Sequence, residues 1–276
     1  MPNPDSRPGR VLRGGESISQ AVTREAREHV FLSELRQPHG CKLPRHEHEL
    51  AYFTVVLAGT YGESNSSCTA ELHPFTAIYN PAGVIHDGIV GYGGTQLFTI
   101  EMRAEYLKEV GIRLRSAPNV DPGTGAILWP GLRIYSAFKA QAADPLTLDS
   151  LVLELLAAVA AAENVGKEPP IWFNRVRERM HQEFQADLSM RQLAMEAGVH
   201  PVHLARVFRA HCRQTPGDYV RRLRLRAACD LLRNQDFPLA AVAADCGFAD
   251  QSHFTRIFKR ELGSTPGDFR KRCLQK

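Results

Sequence analysis

Two arginines at equivalent positions of an internal repeat are the first residues whose type and spacing indicate a chemical role. At an offset of 50 residues, HLARVF at 203–208 aligns with HFTRIF at 253–258, which places Arg206 opposite Arg256. A guanidinium group donates a fork of hydrogen bonds that matches phosphate oxygens and the major-groove edge of guanine. A duplicated arginine on two exposed helix faces therefore indicates a surface that contacts nucleic acid twice.

The repeat also predicts the elements that position these arginines. Upstream, LAMEAGV at 193–199 aligns with VAADCGF at 242–248, so Gly198 falls opposite Gly247. Each copy reads as a short helix, a glycine that takes a positive φ at the turn, and a second helix. This is the spacing of a helix-turn-helix, whose second helix enters a major groove. An α-helical bundle with a basic surface is the alternative, and the duplicated arginine argues against it.

The second helix of each copy divides into a core face and a solvent face. Leu204 with Phe208, and Phe254 with Phe258, are i,i+4 pairs that we expect to face the core. Asp250 is the predicted N-cap of the later helix. The predicted solvent faces comprise Val202, Ala205, Arg206, Arg209, Gln251, Ser252, Thr255, Arg256 and Lys259. Between the copies, residues 218–234 form a predicted rigid spacer helix, with Val220, Leu223, Ala227, Ala228 and Leu231 expected to be buried.

Charge is divided unevenly along the 276 residues. Residues 171–276 hold 19 Lys and Arg against 11 Asp and Glu, a net charge of +8, whereas residues 1–170 carry a net charge of −4. The basic part is thus suited to double-stranded DNA. Six cysteines without any C-x-x-C pair exclude a zinc ribbon and a disulfide framework. Since no apolar run reaches 18 residues, we expect a cytoplasmic protein without membrane contact.

The acidic part reads as strands followed by helices. From Val30 to Met102, short apolar or alternating runs are broken by turn residues, which predicts an all-β segment. Helices are predicted at 103–112, 131–142 and 146–162. The last of these carries an apolar stripe of Leu148, Leu151, Val152, Leu155 and Val159, which packs either on its own barrel or against a second copy. The segment ENVGKEPP at 163–170 is a predicted linker.

The C-terminal repeat resembles a known family. GFADQSHFTRIFKRELGSTPGDFR at 247–270, with the preceding copy, is similar to the DNA-binding domain of AraC/XylS-type transcription regulators over about residues 171–273. The resemblance implies a bilobal domain of seven helices with two recognition helices. It places DNA contacts on Val202, Ala205, Arg206, Gln251, Ser252, His253 and Arg256. Because Val202 and Ala205 cannot form side-chain hydrogen bonds, we expect the first helix to read thymine methyl groups and to use Arg206.

The N-terminal part resembles the cupin barrel. Gly40, His46, His48 and Gly59 fit the first cupin motif, and Pro81, Gly83 and His86 fit the second. His46, His48 and Tyr52 have even spacing, which places them on one face of a strand. Together with His86 they would form an imidazole cluster of the kind that holds Zn²⁺ or Fe²⁺. Tyr52 replaces the Glu ligand of metal-binding cupins, and Phe75 and Val90 replace a Gly and an Asn. We therefore expect His46, His48, Tyr52 and His86 to contact a small-molecule effector, with no metal or other cofactor.

The sequence thus predicts an α+β chain of two domains. Residues 1–162 form a cupin-like β-barrel with trailing helices that binds the effector and dimerises, and residues 171–276 form an all-α double helix-turn-helix. The expected function is a non-enzymatic transcription regulator that binds two major-groove elements about one turn apart as a homodimer, with RNA polymerase as a further partner. The alternative is a metal-dependent cupin enzyme fused to a DNA-binding domain. Base-reading side chains such as Gln251 argue against a non-specific architectural DNA-binding protein.

Overall fold

The chain folds into two compact units, Met1–Ala160 and Ala161–Lys276. The computed structural model describes residues 10–65, 69–114, 118–121, 125, 127–140, 144–162, 169–212 and 214–274. Most of the predicted linker at 163–170, and the first nine residues, lie outside the described part of the chain. None of the described helices has the length and apolar character that a bilayer span requires.

The N-terminal unit contains a single curled sheet of nine strands in the described residues. The strands are β1 (Arg10–Leu12), β2 (Gln20–Ala26), β3 (Val30–Gln37), β4 (Lys42–His48), β5 (Ala51–Asn65), β6 (Thr69–Leu72), β7 (Ala77–Asn80), β8 (His86–Met102) and β9 (Asn119–Val120). The predicted β segment from Val30 to Met102 is confirmed. Strands β1, β2 and β9 were not predicted, because their exposed or very short sequences lack a strong apolar alternation.

The long strand β8 organises the sheet. Strand β5 pairs antiparallel with β8 along its whole length, from Ala51 opposite Met102 to Asn65 opposite His86. Along the other edge of β8, strand β4 pairs with the first half and strand β3 pairs with the second half. This arrangement curls the sheet around an interior in which Phe53, Val55, Phe98 and other apolar side chains have no exposed surface. The curl also brings the ends of β4 and β8 together, which positions the histidines described below.

Three helices follow the strands in the N-terminal unit: α1 (Ala104–Glu109), α2 (Leu128–Ala140) and α3 (Pro145–Ala162). All three were predicted, with boundaries that differ by a few residues. The five side chains of the apolar stripe on α3 are each at most 7% exposed within the single chain. Of the two interpretations of this stripe, intramolecular packing is therefore correct, and the stripe is not a free dimer surface.

The C-terminal unit is all-α and contains seven helices in the described residues. These are α4 (Ile171–Gln182), α5 (Met190–Glu196), α6 (Pro201–Cys212), α7 (Pro216–Leu231), α8 (Leu239–Asp245), α9 (Gln251–Leu262) and α10 (Pro266–Leu274). Helices α4 to α6 form a first lobe and α8 to α10 a second lobe, and α7 joins them. Helix α7 both ends the first copy of the repeat and begins the second.

Repeated capping sequences begin the helices that close each copy. Thr215 accepts a hydrogen bond from the backbone N–H of Asp218 at 3.1 Å, and its hydroxyl donates to the Asp218 carboxylate at 2.6 Å. Thr265 and Asp268 repeat both contacts at the same distances. Proline in the first helical turn has no N–H that would need a partner, so TPGD starts a helix at both places.

The cores of the two lobes match the predicted i,i+4 pairs. Leu204, Phe208, Phe254 and Phe258 have no exposed surface. The buried face of α7 differs from the prediction, since of the five expected residues only Ala228 is buried and the other four are half-buried. The buried positions of α7 are Pro216, Tyr219, Leu225, Ala228 and Cys229. The reason is that α7 packs against both lobes, so apolar periodicity alone does not identify one buried face.

The two turn glycines have the predicted positive φ but different surroundings. Gly198 has φ +66° and a Cβ added there would meet nothing within 4 Å. Gly247 has φ +75°, and an added Cβ would lie 2.3 Å from the carbonyl oxygen of Gln185 in the turn after α4. The glycine turn of the second lobe therefore contacts the backbone of the first.

We predict that Gly247→Ala destabilises the C-terminal unit more than Gly198→Ala. Both variants force alanine into a positive φ, at a cost of about 1–2 kcal/mol, and only Gly247→Ala adds an overlap with backbone, at a further cost of about 1–3 kcal/mol. Urea unfolding followed by Trp172 fluorescence in a Trp129→Phe background measures the difference. Equal unfolding midpoints for the two variants would show that the lobes do not press on each other at this turn.

Candidate DNA-binding surface and histidine cluster

Helices α6 and α9 present closely matching faces to solvent. From the second to the tenth position, residues 202–210 and 252–260 have the same sequence of exposed, half-buried and buried side chains. Arg206 and Arg256 are both exposed, as are Val202, Gln251 and Ser252, and Ala205 is half-buried. Asp250 caps α9 as predicted, with its carboxylate accepting the backbone N–H of His253 at 2.7 Å. The structure therefore gives both predicted recognition faces the accessibility that groove binding requires.

The two arginines differ in their local contacts. The Arg206 guanidinium donates to His203 Nδ1 at 3.0 Å. Arg256 forms no hydrogen bond or ion pair with any described residue, so its five donors are available to a ligand. Lys259 is also exposed, one turn further along α9.

His253 has a different position from the other predicted DNA contacts. Its side chain is half-buried, and its ring packs edge-on against Phe248 at a centroid distance of 5.9 Å. The ring thus faces the junction between the lobes. The sequence could not show this, because His253 and the exposed Ser252 are neighbours in a polar stretch.

The four residues of the predicted imidazole cluster lie together in the N-terminal unit. His46 and His86 have ring centroids 4.2 Å apart, and His48 lies 5.3 Å from His46 and 5.6 Å from His86. Ligand nitrogens of the three histidines all lie within 4.8 Å of one another. The Tyr52 hydroxyl is 2.9 Å from His86 Nε2. The prediction that the spacing places His46, His48 and Tyr52 on one strand is wrong, because the chain turns at residues 49–50 and Tyr52 belongs to β5.

Backbone carbonyls orient two of the rings. Nδ1 of His46 lies 2.8 Å from the Pro44 carbonyl oxygen, and Nδ1 of His86 lies 3.0 Å from that of Val84. A carbonyl accepts only, so in both rings Nδ1 carries the proton and Nε2 keeps its lone pair. Burial lowers the pKa of His46, and burial together with the neighbouring His46 lowers the pKa of His86 to about 3. Both rings are therefore neutral around pH 7.

Two buried carboxylates adjoin the cluster, contrary to the expectation that it lacks one. Glu101 Oε1 lies 3.6 Å from His48 Nδ1, a nitrogen that is buried without a hydrogen-bond partner among the described residues. Glu63 accepts a hydrogen bond from Asn80 Nδ2 at 2.7 Å, and the same amide donates to the Tyr52 hydroxyl at 2.9 Å. Both glutamates were missed because they lie outside the cupin-motif positions and reach the cluster through the pairing of β5 with β8.

A cavity of about 40 Å³ lies beside these side chains. It is lined by the four cluster residues, by Glu63 and by apolar side chains that include Leu35, Leu43 and Leu97. A space of this size holds a water molecule or an ion, whereas pockets for organic ligands usually measure about 300–1,000 Å³.

Comparison with known proteins identifies the C-terminal unit. A family model described as a helix-turn-helix domain matches residues 193–272. The chain is 38% identical over 85 residues to the regulatory protein SoxS of Escherichia coli, covering 31% of this chain and 79% of SoxS. The chain belongs to the AraC/XylS family of transcription regulators. It is thus a DNA-binding transcription regulator, and the predicted fold class is confirmed.

Two further proteins are similar to part of the chain. The regulator GlxA of Rhizobium meliloti is 36% identical over 113 residues, covering 41% of this chain and 35% of GlxA. A crystal structure of a transcriptional regulator with an AraC-type DNA-binding domain, from Chromobacterium violaceum, aligns with 25% identity and a TM-score of 0.36 over 38% of this chain and 93% of its own.

Backbone conformation explains the glycines at the cupin-motif positions of this AraC/XylS regulator. Gly40, Gly59 and Gly83 all have φ between +70° and +74°, which favours glycine. Phe75, which stands where the cupin motif carries glycine, also has a positive φ, +58°, and is buried. A bulky residue in this region is strained, so the packing of the Phe75 side chain offsets the backbone cost that glycine would avoid.

We predict a pH-dependent contribution of Glu63 to the stability of this regulator. Burial raises the pKa of Glu63 from 4.5 to about 7, so its protonation favours the folded state. The resulting stability is fully present below pH 4.5 and is lost as pH rises to about 7. Thermal unfolding should show Glu63→Gln gaining stability relative to wild type between pH 5 and pH 7, by roughly 3 kcal/mol at most, and a constant difference above pH 7. The exposed Glu71→Gln is the control, and a pH-independent difference for Glu63→Gln would contradict the shifted pKa.

Proposed function

We propose that this regulator reads two successive major-groove elements of double-stranded DNA, one with each recognition helix. The observation that carries the proposal is the repeated solvent face of α6 and α9, with Arg206 and Arg256 at equivalent exposed positions. Helix α7 links the two lobes as one continuous helix, so the distance between the recognition helices is fixed. Basic residues of the C-terminal unit supply phosphate contacts.

The two lobes differ in the base contacts that they offer. The second lobe presents Gln251, Ser252 and Arg256, whose side chains form hydrogen bonds with base edges. The first presents Val202 and Ala205, which favour contact with thymine methyl groups, and an Arg206 that already donates to His203. We therefore assign most of the sequence discrimination to the second lobe.

We predict that Arg256→Ala reduces specific DNA binding by roughly 1–3 kcal/mol, since its guanidinium is free to bind guanine. Arg206→Ala should cost less. Lys259→Ala is the matched control on the same helix and should weaken specific and scrambled DNA alike, because a phosphate contact carries no sequence information. Titrations of each variant with both DNAs measure these losses. Equal losses of binding to specific and scrambled DNA for Arg256→Ala would show that Arg256 contacts a phosphate and not a base.

We also predict that about 5 bp inserted between the two DNA elements abolishes specific binding. Half a helical turn places the second element on the opposite side of the duplex, which two lobes joined by a continuous helix cannot reach. Substituting the same number of base pairs between the elements, without insertion, is the control and should preserve binding. Undiminished affinity for the inserted DNA would show that the connection between the lobes is flexible.

For the N-terminal unit we propose that the cavity beside His46, His48, Tyr52 and His86 binds the effector. Buried neutral imidazoles and the Tyr52 hydroxyl offer both donors and acceptors to a ligand. An organic effector needs more than the existing 40 Å³, so its binding would require a rearrangement of the lining. An effector acts by binding one conformation of a protein more tightly than another. The rearranged cavity lining would be the second conformation.

A divalent metal ion is the second candidate effector, because the three imidazoles fit one. Nε2 of His46 keeps its lone pair, and Nε2 of His86 would exchange its hydrogen bond from Tyr52 for the ion. The carbonyls on the opposite nitrogens orient both rings in the way usual for metal-binding histidines. Glu101 supplies a carboxylate next to His48. Zn²⁺ or Fe²⁺ would accept such a donor set and would act here as a signal.

Elemental analysis of untagged protein distinguishes the two candidates. A metal effector predicts stoichiometric metal that is lost in His48→Ala and kept in the exposed His73→Ala control, because the ion needs the third imidazole. An organic effector predicts metal-free protein whose His48→Ala variant binds DNA normally and no longer responds to the effector. A metal-free protein would exclude the ion.

We propose a homodimer that contacts RNA polymerase and has no enzymatic activity. Because the apolar stripe of α3 is buried, a dimer would have to use another surface of the N-terminal unit, and Leu146 and Leu153 are exposed on α3 at 74% and 41%.

A further inference from the structure

A cleft of about 280 Å³ lies between the two helix-turn-helix lobes of the C-terminal unit. Met180, Leu193 and Val220 line it from the first lobe and α7, and Phe248 and Ile257 line it from the second lobe. A molecule in this cleft would contact α7 and residues of both lobes at once. The volume is just under the usual range of about 300–1,000 Å³ for ligand pockets, which favours a small ligand.

The cleft contains an arginine, Arg224, that forms no ion pair within salt-bridge distance among the described residues. Arg224 donates from Nε to the Phe184 carbonyl at 2.7 Å and from Nη2 to the Ala186 carbonyl at 2.8 Å. Its guanidinium has no ion pair with a described carboxylate, and burial lowers the pKa of Arg224. Asp187 also lines the cleft and its charge acts to raise the pKa of Arg224 from a distance, and the neighbouring Arg221 is already paired with Asp218. The remaining Arg224 N–H groups therefore suit an incoming anion.

His253 adds a second polar group to the same cleft. Its Nδ1 is buried and has no hydrogen-bond partner among the described residues. A buried ring nitrogen without a partner is costly, and a ligand oxygen that accepts a hydrogen bond from its N–H would remove that cost.

We propose that the cleft between the lobes binds a small apolar monocarboxylate. The carboxylate would accept hydrogen bonds from Arg224 and His253, and the apolar body would pack against Val220, Phe248 and Ile257. Such a ligand would change how the two lobes pack against α7, so this regulator would have an input in its DNA-binding unit that is independent of the barrel.

The test uses the full-length chain and cyclohexanecarboxylate, with cyclohexylmethanol as the uncharged probe of similar shape. Calorimetric titration should show the acid binding about tenfold or more tightly than the alcohol, because only the acid forms charge-assisted hydrogen bonds. Arg224→Met should abolish this preference, and Arg226→Met, on the same helix outside the cleft lining, should keep it. Equal affinity for acid and alcohol in the wild type would overturn the proposal.

A second variant locates the site without removing the hydrogen bonds of Arg224. Val220→Phe fills the cleft and should weaken acid binding about tenfold or more, with its unfolding midpoint measured to verify the fold. Acid binding that survives Val220→Phe but is lost in His48→Ala would place the site in the barrel and overturn the proposal. Saturating acid should also change the affinity for cognate DNA, and by linkage DNA should change the affinity for the acid by the same factor. An unchanged DNA affinity would overturn the regulatory part.

Discussion

Helix α7 is the constraint on which both recognition surfaces depend. Its first turn completes the first lobe, where Tyr219 packs against Phe208 with a centroid distance of 5.8 Å, and its later turns support the second lobe. Because one continuous helix serves both lobes, neither recognition helix can move without changing packing against α7. Arg224 of α7 also holds the turn after α4 through two backbone carbonyls. The contact between Gly247 and Gln185 then limits how closely the lobes approach.

The same geometry explains why the two lobes are not equivalent despite the repeat. The repeat preserves the capping threonines, the core aromatics and the exposed arginines. It does not preserve the surroundings of the turn glycines, since only Gly247 meets backbone from the other lobe. The exposed side chains beside the arginines also differ, with Val202 in the first lobe and Gln251 and Ser252 in the second. A duplicated fold thus carries two solvent faces of unequal chemistry.

In the N-terminal unit, burial is the dominant influence on the chemistry. Desolvation keeps His46 and His86 neutral and raises the pKa of Glu63 to about 7. These groups are linked through hydrogen bonds from Asn80 to Glu63 and Tyr52, and from Tyr52 to His86. A ligand that displaces the Tyr52 hydroxyl from His86 therefore changes the environment of Glu63 as well. Through these hydrogen bonds, binding at the histidines would affect the strands that carry Tyr52, Glu63 and Asn80.

The sequence by itself determined the features that depend on local spacing. The repeat offset located both recognition helices, the i,i+4 pairs identified Leu204, Phe208, Phe254 and Phe258 as core, and the cupin motif brought His46, His48 and His86 together. Tertiary structure alone decided the features that depend on contacts between distant segments. It placed Glu63 and Glu101 beside the histidines, turned His253 inward and buried the α3 stripe. Such contacts arise because long strands and a shared helix bring together residues whose separation along the chain carries no periodic signal.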